Sequence, residues 1–406
     1  MNILRILRSY WFTYLVILAL VTPLTWFSIK KYISGYGLMA YFVLIAIPAI
    51  IVAVTLVVTR YLCKRRTELT TTNPVDNRYN RRLWSKASKN CKLTSWLRER
   101  EATMLLRWPG ISLDDIITSY DTKCRRYNTV MTPSAQAALD AWKSENPKIF
   151  QDLDKEPWGL QVRLERVQFD HREHKYTIGL SPIKYLYYLS LQARLWDSNL
   201  ANLRKEVFWN AMSFLTEGFT PLLPNHFALH MAIVSQDKKL LIRKRPDDTK
   251  LYPGVWEASI GEFMHGPEHQ HYTHFNSDLK PDLRMFCINA VAEETNYKKA
   301  VSSEFLVYGF GIEYRTLAPK MYVIYQSSEM MEYLLSQGQP DDRGKELSSI
   351  ELTPRSLGEA LSPSSDYLWS PSSKIISLLA LLESAVNNRD RKSLKDDFMM
   401  SYGAKV

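Results

Sequence analysis

Two segments of this 406-residue chain carry side chains that could act on phosphate groups. Residues 251–262 read LYPGVWEASIGE, and residues 289–297 read NAVAEETNY, which places Glu293 beside Glu294. Neighbouring glutamates on a helix, joined by another carboxylate one turn earlier, form an oxygen site for Mg²⁺ or Mn²⁺. Such a metal can neutralise the negative charge of a bound ligand and activate water. Glu293 and Glu294 are therefore candidate metal ligands, and a solvated helix face is the alternative.

A basic strand end precedes the first segment and could contact the same phosphates. Strand alternation sends Arg243 and Arg245 to one face, and a guanidinium suits bidentate binding of phosphate. Surface ion pairs are the alternative role for both arginines. Further ligand contacts are expected from one motif glutamate, from aromatic rings that could stack on a base and from one histidine: Glu257, Tyr252, Phe263, Tyr308 and His265.

Half of the eight histidines fall between the two segments, at His265, His269, His271 and His274. In an extended loop, His269 and His271 could chelate zinc together with His265 or His274. The stretch could instead form a lid whose imidazoles donate to the phosphates of a bound nucleotide. A loop of neutral imidazoles without a ligand is the third interpretation, and the sequence leaves all three open.

The apolar pattern predicts the elements that would position these groups. Alternation predicts strands at 227–234 and 239–243, and apolar spacing predicts a closing helix at 373–386. Further strands are expected at 161–168, 175–180, 304–315 and 321–326, and residues 78–150 are expected to be mainly helical, with breaks at Pro109, Gly110 and Pro133. Strands mixed with helices indicate an α/β or α+β body.

The first sixty-six residues have a different character from this body. Residues 10–29 and 37–59 contain no Asp, Glu, Lys, Arg or His, and about 20 helical residues span about 30 Å, the apolar thickness of a bilayer. A cleaved signal peptide fits less well, because a second apolar run follows the first. The sequence therefore predicts a two-helix transmembrane hairpin, and its basic flanks predict that both termini and the body face the cytoplasm.

The excess positive charge lies directly after the predicted hairpin. Residues 60–107 hold thirteen Lys and Arg against four Asp and Glu, nearly the whole formal charge of +10. Docking onto an anionic membrane surface is the preferred interpretation, and nucleic-acid binding is the alternative. We expect the lipid bilayer as a partner and no nucleic acid polymer. The four scattered cysteines form no CxxC pair, which indicates reduced thiols.

The basic strand end, the Pro-Gly-x-Trp-Glu turn and the helix with paired glutamates together resemble the Nudix family. The resemblance implies a mixed sheet sandwiched by helices, and Mg²⁺ as the cofactor of any hydrolysis. This chain departs from the family motif, because Asn289, Ala290 and Asn296 stand where the family has Arg, Glu and the helix-ending Gly. Pro281 stands at the family's first glutamate. The resemblance therefore favours a degenerate domain with no catalytic residue beyond the remnant glutamate pair.

The expected fold class is a two-helix transmembrane hairpin plus a cytosolic α/β Nudix-like domain, with a preceding mainly helical α+β region. The predicted boundaries are residues 1–66 for the transmembrane region, 67–224 for the basic juxtamembrane and connecting region, 225–390 for the Nudix-like domain and 391–406 for a polar tail.

A two-span anchor joined to a degenerate Nudix-like domain is similar to the transmembrane–Nudix effectors of bacterial cyclic-oligonucleotide anti-phage signalling (CBASS). The resemblance implies a cyclic oligonucleotide ligand, a homo-oligomer and disruption of the bacterial inner membrane as the output. A membrane-tethered Nudix hydrolase that cleaves a nucleoside diphosphate derivative is the alternative. A non-enzymatic scaffold that binds another protein is a third hypothesis.

Overall fold

The structure is a computed structural model, and it describes residues 102–121, 133–148, 150–151, 160–170, 175–194, 226–247, 252–267, 274–313, 318–337, 346–385 and 387–403. These residues all belong to one structural unit of the chain, residues 78–405.

The described residues form eleven strands and seven α-helices. The strands are β1 (Ala102–Ser112), β2 (Ile116–Tyr120), β3 (Leu160–Asp170), β4 (Lys175–Lys184), β5 (Ala228–Val234), β6 (Lys239–Lys244), β7 (Trp256–Ala258), β8 (Ile260–Phe263), β9 (Phe305–Glu313), β10 (Ala318–Gln326) and β11 (Glu346–Glu351). The helices are α1 (Pro133–Glu145), α2 (Tyr185–Arg194), α3 (Leu283–Thr295), α4 (Met331–Ser336), α5 (Pro354–Leu361), α6 (Pro371–Glu383) and α7 (Asn388–Gly403).

The larger of two sheets is mixed and carries the motif segments. Its strand order is β1-β9-β10-β5-β6-β11, with β7 paired to β6 and β8 paired to β5. Strands β5 and β10 run parallel, whereas the other described pairs of this sheet are antiparallel. The smaller sheet has the order β2-β4-β3. A mixed sheet with helices, which the sequence predicted, is therefore present.

Strand β5 shows why the larger sheet is buried on both faces. Leu229, Met231 and Ile233 point into a core that includes α3, whereas Ala232 and Val234 point into a second core that includes α5, α6 and α7. All seven residues of the strand are buried. Each large apolar side chain buried in this way stabilises the fold by about 1.5–3 kcal/mol. The two cores therefore hold helices against opposite faces of the sheet.

Helix α3 carries the glutamate pair, and its ends follow ordinary capping rules. The side chain of Asp282 accepts hydrogen bonds from the backbone N–H groups of Arg284 and Met285, which satisfies two donors of the first turn. At the other end Asn296 adopts the left-handed conformation, with φ of 58°. Glycine is the usual residue at this position, and asparagine is the usual substitute. The helix-ending position of the motif therefore keeps its backbone geometry without glycine.

The predicted strands are confirmed at the hairpin of β3 and β4, at β5 and β6, and at β9 and β10. The prediction that residues 78–150 are mainly helical is wrong for 102–112 and 116–120, which form β1 and β2. Strand β1 pairs along its length with β9, about two hundred residues later in the chain. Pairing across such a distance overrides local helix preference, because strand formation depends on packing against partners.

The C-terminal residues continue beyond the predicted closing helix. Helix α6 occupies residues 371–383, and α7 follows within the segment expected to be a polar tail. Phe398 and Tyr402 of α7 are buried in the core with α5 and α6. A Cβ added to Gly358 of α5 would lie 2.6 Å from Cβ of Ser401. Helices α5 and α7 therefore pack closely because residue 358 is glycine.

The membrane part of the predicted fold class requires a correction. Within the residues that the structure describes, no helix is both long enough and apolar enough to cross a bilayer. The predicted transmembrane residues 1–66 lie outside the described residues. We therefore withdraw the two-helix hairpin from the fold class, together with the localisation as a multi-pass protein of the bacterial inner membrane.

Candidate functional site

The larger sheet splits between β5 and β6, and the motif residues fill the split. These strands pair at Val234 and Leu240 and then separate. Beyond that point β5 pairs with β8, and β6 pairs with β7. Ser259 joins them at the apex. Its hydroxyl accepts a hydrogen bond from N of Ile233 and donates one to O of Leu241, both at 2.7 Å. Backbone groups that lose a strand partner are thereby satisfied.

The centre of the site is the side chain of Arg243, which is buried with a residue exposure of 4%. Its Nη2 donates to Oε2 of Glu257 at 2.7 Å, and its Nη1 pairs with Oε2 of Glu294. Arg243 on β6 and Glu257 on β7 are direct cross-strand partners, whereas Glu294 comes from the last turn of α3. The guanidinium of Arg243 therefore binds two carboxylates, one from the sheet and one from helix α3.

Arg245 approaches the same carboxylate from the outer side. Its Nη1 lies 3.1 Å from both Oε1 and Oε2 of Glu257, and 23% of its side chain is exposed, against 4% for Arg243. Two arginines and two glutamates make the cluster neutral in formal charge. We call these four residues, Arg243, Arg245, Glu257 and Glu294, the arginine–carboxylate cluster.

In this cluster the arginines stabilise the ionised carboxylates, and the carboxylates stabilise the charged form of Arg243. Burial by itself would raise the pKa of Glu257, but Arg245 and Arg243 hold that pKa well below its ordinary value. Burial by itself would lower the pKa of Arg243, but Glu294 and Glu257 raise it further above its ordinary value. Arg243 and Glu257 are therefore both ionised at neutral pH.

The remaining positions of the helix motif supply little for a metal ion. Ala290, where the family has glutamate, is fully buried in the apolar core, so a methyl group occupies that place. Glu293 is half-buried beside Glu294. Among the described residues, no group of three or more histidine, cysteine, aspartate or glutamate side chains is arranged to hold a metal ion. Glu294, a predicted metal ligand, is therefore paired with Arg243 in the structure.

His230 is a part of the site that the sequence did not reveal. It lies on β5, is fully buried, and its Nε2 is 2.9 Å from Oγ of Ser373 on α6. Its Nδ1 makes no hydrogen bond within the described part of the chain. Burial, followed by Lys320, lowers the pKa of His230 well below its usual value, so the imidazole is neutral. The available signal was a histidine in an otherwise apolar seven-residue strand.

The three aromatic candidates have different surroundings. Tyr252 is 5% exposed and has a positive φ of 52° at the turn before Pro253. The half-buried ring of Phe263 stacks on His226, with centroids 4.0 Å apart and planes 9° apart. Tyr308 lies in the core with α5–α7, where burial raises its pKa to about 12. The structure therefore does not bring Tyr308 to the face on which α3 lies.

The histidine-rich stretch is described in part. Nε2 of His265 lies 3.7 Å from Oε1 of Glu262, and its backbone N–H donates to Nδ1 of His274 at 3.2 Å. His269 and His271 lie outside the described residues. The zinc and lid interpretations therefore stay predictions.

Comparison with known proteins gives a limited result. No family model matches the chain, and no curated protein matches it. Among solved structures, it is similar to the crystal structure of Tm1382, described as a candidate Nudix hydrolase. The TM-score is 0.25 and the identity 14%, and the match covers 39% of this chain and 70% of that chain. The likeness to a Nudix hydrolase is therefore weak and partial.

Proposed function

We propose that this protein binds a phosphate-bearing nucleotide without hydrolysing it, and that cyclic oligonucleotides are the first class to test. The observation that carries the proposal is the position of Arg243, whose guanidinium joins Glu257 to Glu294 in a buried site. The guanidinium of Arg243 already neutralises the carboxylates that a catalytic metal would need as ligands.

The energetic argument against a metal at this position follows from burial. A divalent ion would have to displace Arg243 from both carboxylates, and breaking a buried ion pair costs about 3–5 kcal/mol. Since each 1.4 kcal/mol is about a tenfold change in an equilibrium constant, metal affinity would fall by roughly two to four orders of magnitude. Mg²⁺-dependent hydrolysis at Glu294 is therefore disfavoured, and Mg²⁺ is not required for binding.

The argument for a phosphate ligand rests on the exposed side of the cluster. Arg245 presents a partly exposed guanidinium directly after the end of β6. A planar guanidinium matches the geometry of phosphate oxygens. The motif segments resemble the Nudix family, and degenerate Nudix-like domains in the effectors of cyclic-oligonucleotide signalling are the precedent for choosing that ligand class. A role in anti-phage signalling belongs to the same proposal.

Assembly of several copies is the expected consequence of binding in this proposal. A ligand shifts an assembly equilibrium only if it binds the assembled state more tightly than the single copy. Ligand titration followed by light scattering of the purified full chain tests this. An unchanged molar mass at saturating ligand contradicts the proposed homo-oligomer.

The main test measures binding and turnover together. The purified full chain is titrated with a panel of cyclic di- and trinucleotides by calorimetry, with and without Mg²⁺, and the ligand is then recovered by chromatography. We expect metal-independent binding with the ligand intact. Metal-dependent loss of ligand, abolished by Glu293→Gln or Glu294→Gln, would instead identify a Nudix hydrolase. Absence of binding across the panel would overturn the proposal.

A further inference from the structure

Two side chains of the site, those of His230 and Glu257, meet above Gly261 on β8. A Cβ built on Gly261 would lie 3.4 Å from Nδ1 of His230 and 3.7 Å from Oε1 of Glu257. Both atoms thus face the same small space, next to a glycine with no side chain to fill it. Nδ1 of His230 is fully buried and makes no hydrogen bond among the described residues. A buried polar nitrogen without a hydrogen bond is costly, so a partner that can reach it is stabilising.

The two oxygens of Glu257 differ in their contacts with Arg243. Oε2 accepts hydrogen bonds from Arg243 at 2.7 Å and from Arg245 at 3.1 Å, whereas Oε1 accepts one from the partly exposed Arg245, also at 3.1 Å. Oε1 is also the oxygen that faces Gly261. A small rotation of the carboxylate could therefore move Oε1 towards His230 while Oε2 stays on Arg243.

We propose that a phosphate group of the ligand replaces Glu257 on Arg245, and that the released carboxylate turns to Nδ1 of His230. This exchange rests on the proposed function, because it requires an anionic ligand at Arg245. No covalent bond changes. The ligand phosphate gains the guanidinium, the carboxylate oxygen gains an imidazole N–H, and His230 takes one proton from solvent.

The charges around His230 support proton uptake in the complex. The charged and titratable groups around it are Lys320 and the ring of Tyr322 from β10, Arg243 and Arg245 from the β6 side, Glu257 from β7 and the hydroxyl of Ser373 from α6. The three cations lower the pKa of the imidazole, and Glu257 raises it. A phosphate that neutralises Arg245 removes one lowering charge, and the approach of the carboxylate strengthens the raising charge.

The consequence is an affinity that depends on pH in a defined direction. His230 is neutral in the unliganded protein and gains a proton on binding, so lower pH favours the complex. Between the two pKa values of His230, affinity rises by up to about tenfold for each pH unit of decrease. Below the pKa of the unliganded imidazole and above that of the complex, the dependence disappears.

The substitution Gly261→Ala tests the turn of the Glu257 carboxylate towards His230. The backbone of Gly261 is not among the positive-φ residues, and its built Cβ makes ordinary van der Waals contacts of 3.4 Å or more. The variant should therefore fold with unchanged stability while its methyl group separates Oε1 from Nδ1. His230→Gln is the second variant, because an amide can still bond Ser373 but cannot take up a proton near neutral pH. Lys244→Gln, at the neighbouring exposed position, is the matched control for Arg245→Gln.

The experiment uses sulfate as the probe, because its charge does not change near neutral pH. Sulfate is titrated into the full chain by calorimetry at several values from about pH 5 to pH 8, in buffers of different ionisation enthalpy. We expect uptake of up to one proton and rising affinity at lower pH. Gly261→Ala and His230→Gln should abolish the uptake, Arg245→Gln should abolish sulfate binding, and Lys244→Gln should retain both.

Each other result overturns a stated part of the inference. Sulfate binding without proton uptake, or with uptake unchanged in Gly261→Ala and His230→Gln, overturns the exchange and leaves the proposed function standing. Nucleotide binding without any sulfate binding also overturns the exchange. Failure of both sulfate and the nucleotide panel to bind overturns the proposed function itself.

Discussion

Replacement of Arg243 by methionine tests whether this side chain is the charge centre of the site. The variant keeps an unbranched side chain of similar length but removes the cation that joins Glu257 to Glu294. Both carboxylates are buried, with residue exposures of 4% for Glu257 and 8% for Glu294. The variant therefore leaves one negative charge in the interior without a compensating cation. Removing one partner of a buried ion pair costs about 3–5 kcal/mol. We expect a loss of that size in the free energy of unfolding at pH 7.

Arg355→Met is the matched control. Arg355 also pairs with a glutamate, at 3.3 Å from Oε1 of Glu359, but 85% of its side chain and 45% of that of Glu359 are exposed. Pairs exposed to solvent contribute about 0–1 kcal/mol. Denaturant titration of the full chain, followed by circular dichroism, measures both variants under the same conditions.

The pH dependence of the loss gives a second criterion. Without Arg243, the carboxylates of Glu257 and Glu294 can become neutral by taking up protons, and burial raises the pKa of such a group. The destabilisation by Arg243→Met should therefore shrink as pH falls from about 7 towards 5. A loss equal to that of Arg355→Met, or one that is constant over this range, would refute the assignment of Arg243 as the charge centre.

Three further predictions concern the elements around the site. Ser259→Ala should destabilise the fold by about 1–3 kcal/mol, because it leaves the buried N–H of Ile233 without its acceptor; denaturant titration measures it, and a loss below that of a surface Ser→Ala control contradicts the bridging role. Asn296→Ala should be less stable than Asn296→Gly by about 1–2 kcal/mol, because both variants lose the hydrogen bond from Nδ2 to O of Gln337 but only alanine is strained in the left-handed conformation; equal losses would argue against a backbone cause. Cys287 is fully buried and its thiol pKa is raised, so iodoacetamide should modify it only after denaturation; labelling of the native chain at this residue, mapped by mass spectrometry, would contradict the burial.

The local pattern of the sequence was enough to predict several strands and one helix. Alternation along short apolar runs located β5, β6 and the hairpin of β3 with β4, because such a run is a property of a few consecutive residues. That β5 is buried on both faces was not part of this local pattern. The glutamate pair was likewise placed on a helix, which α3 confirms. The same alternation put Arg243 and Arg245 on one face, and the structure brings both to Glu257.

Tertiary structure alone decided which groups these elements bring together. Alternation states which face a side chain takes, but it does not state which distant residue lies opposite. The pairing of Arg243 with Glu294 joins residues from β6 and α3, and it turned a predicted metal ligand into the partner of a buried cation. His230 and Ser259 entered the site for the same reason, because the split between β5 and β6 depends on where β7 and β8 insert. Strand β1 was missed because its strand conformation depends on pairing with β9. A pairing across that distance in the chain leaves no local pattern in the sequence.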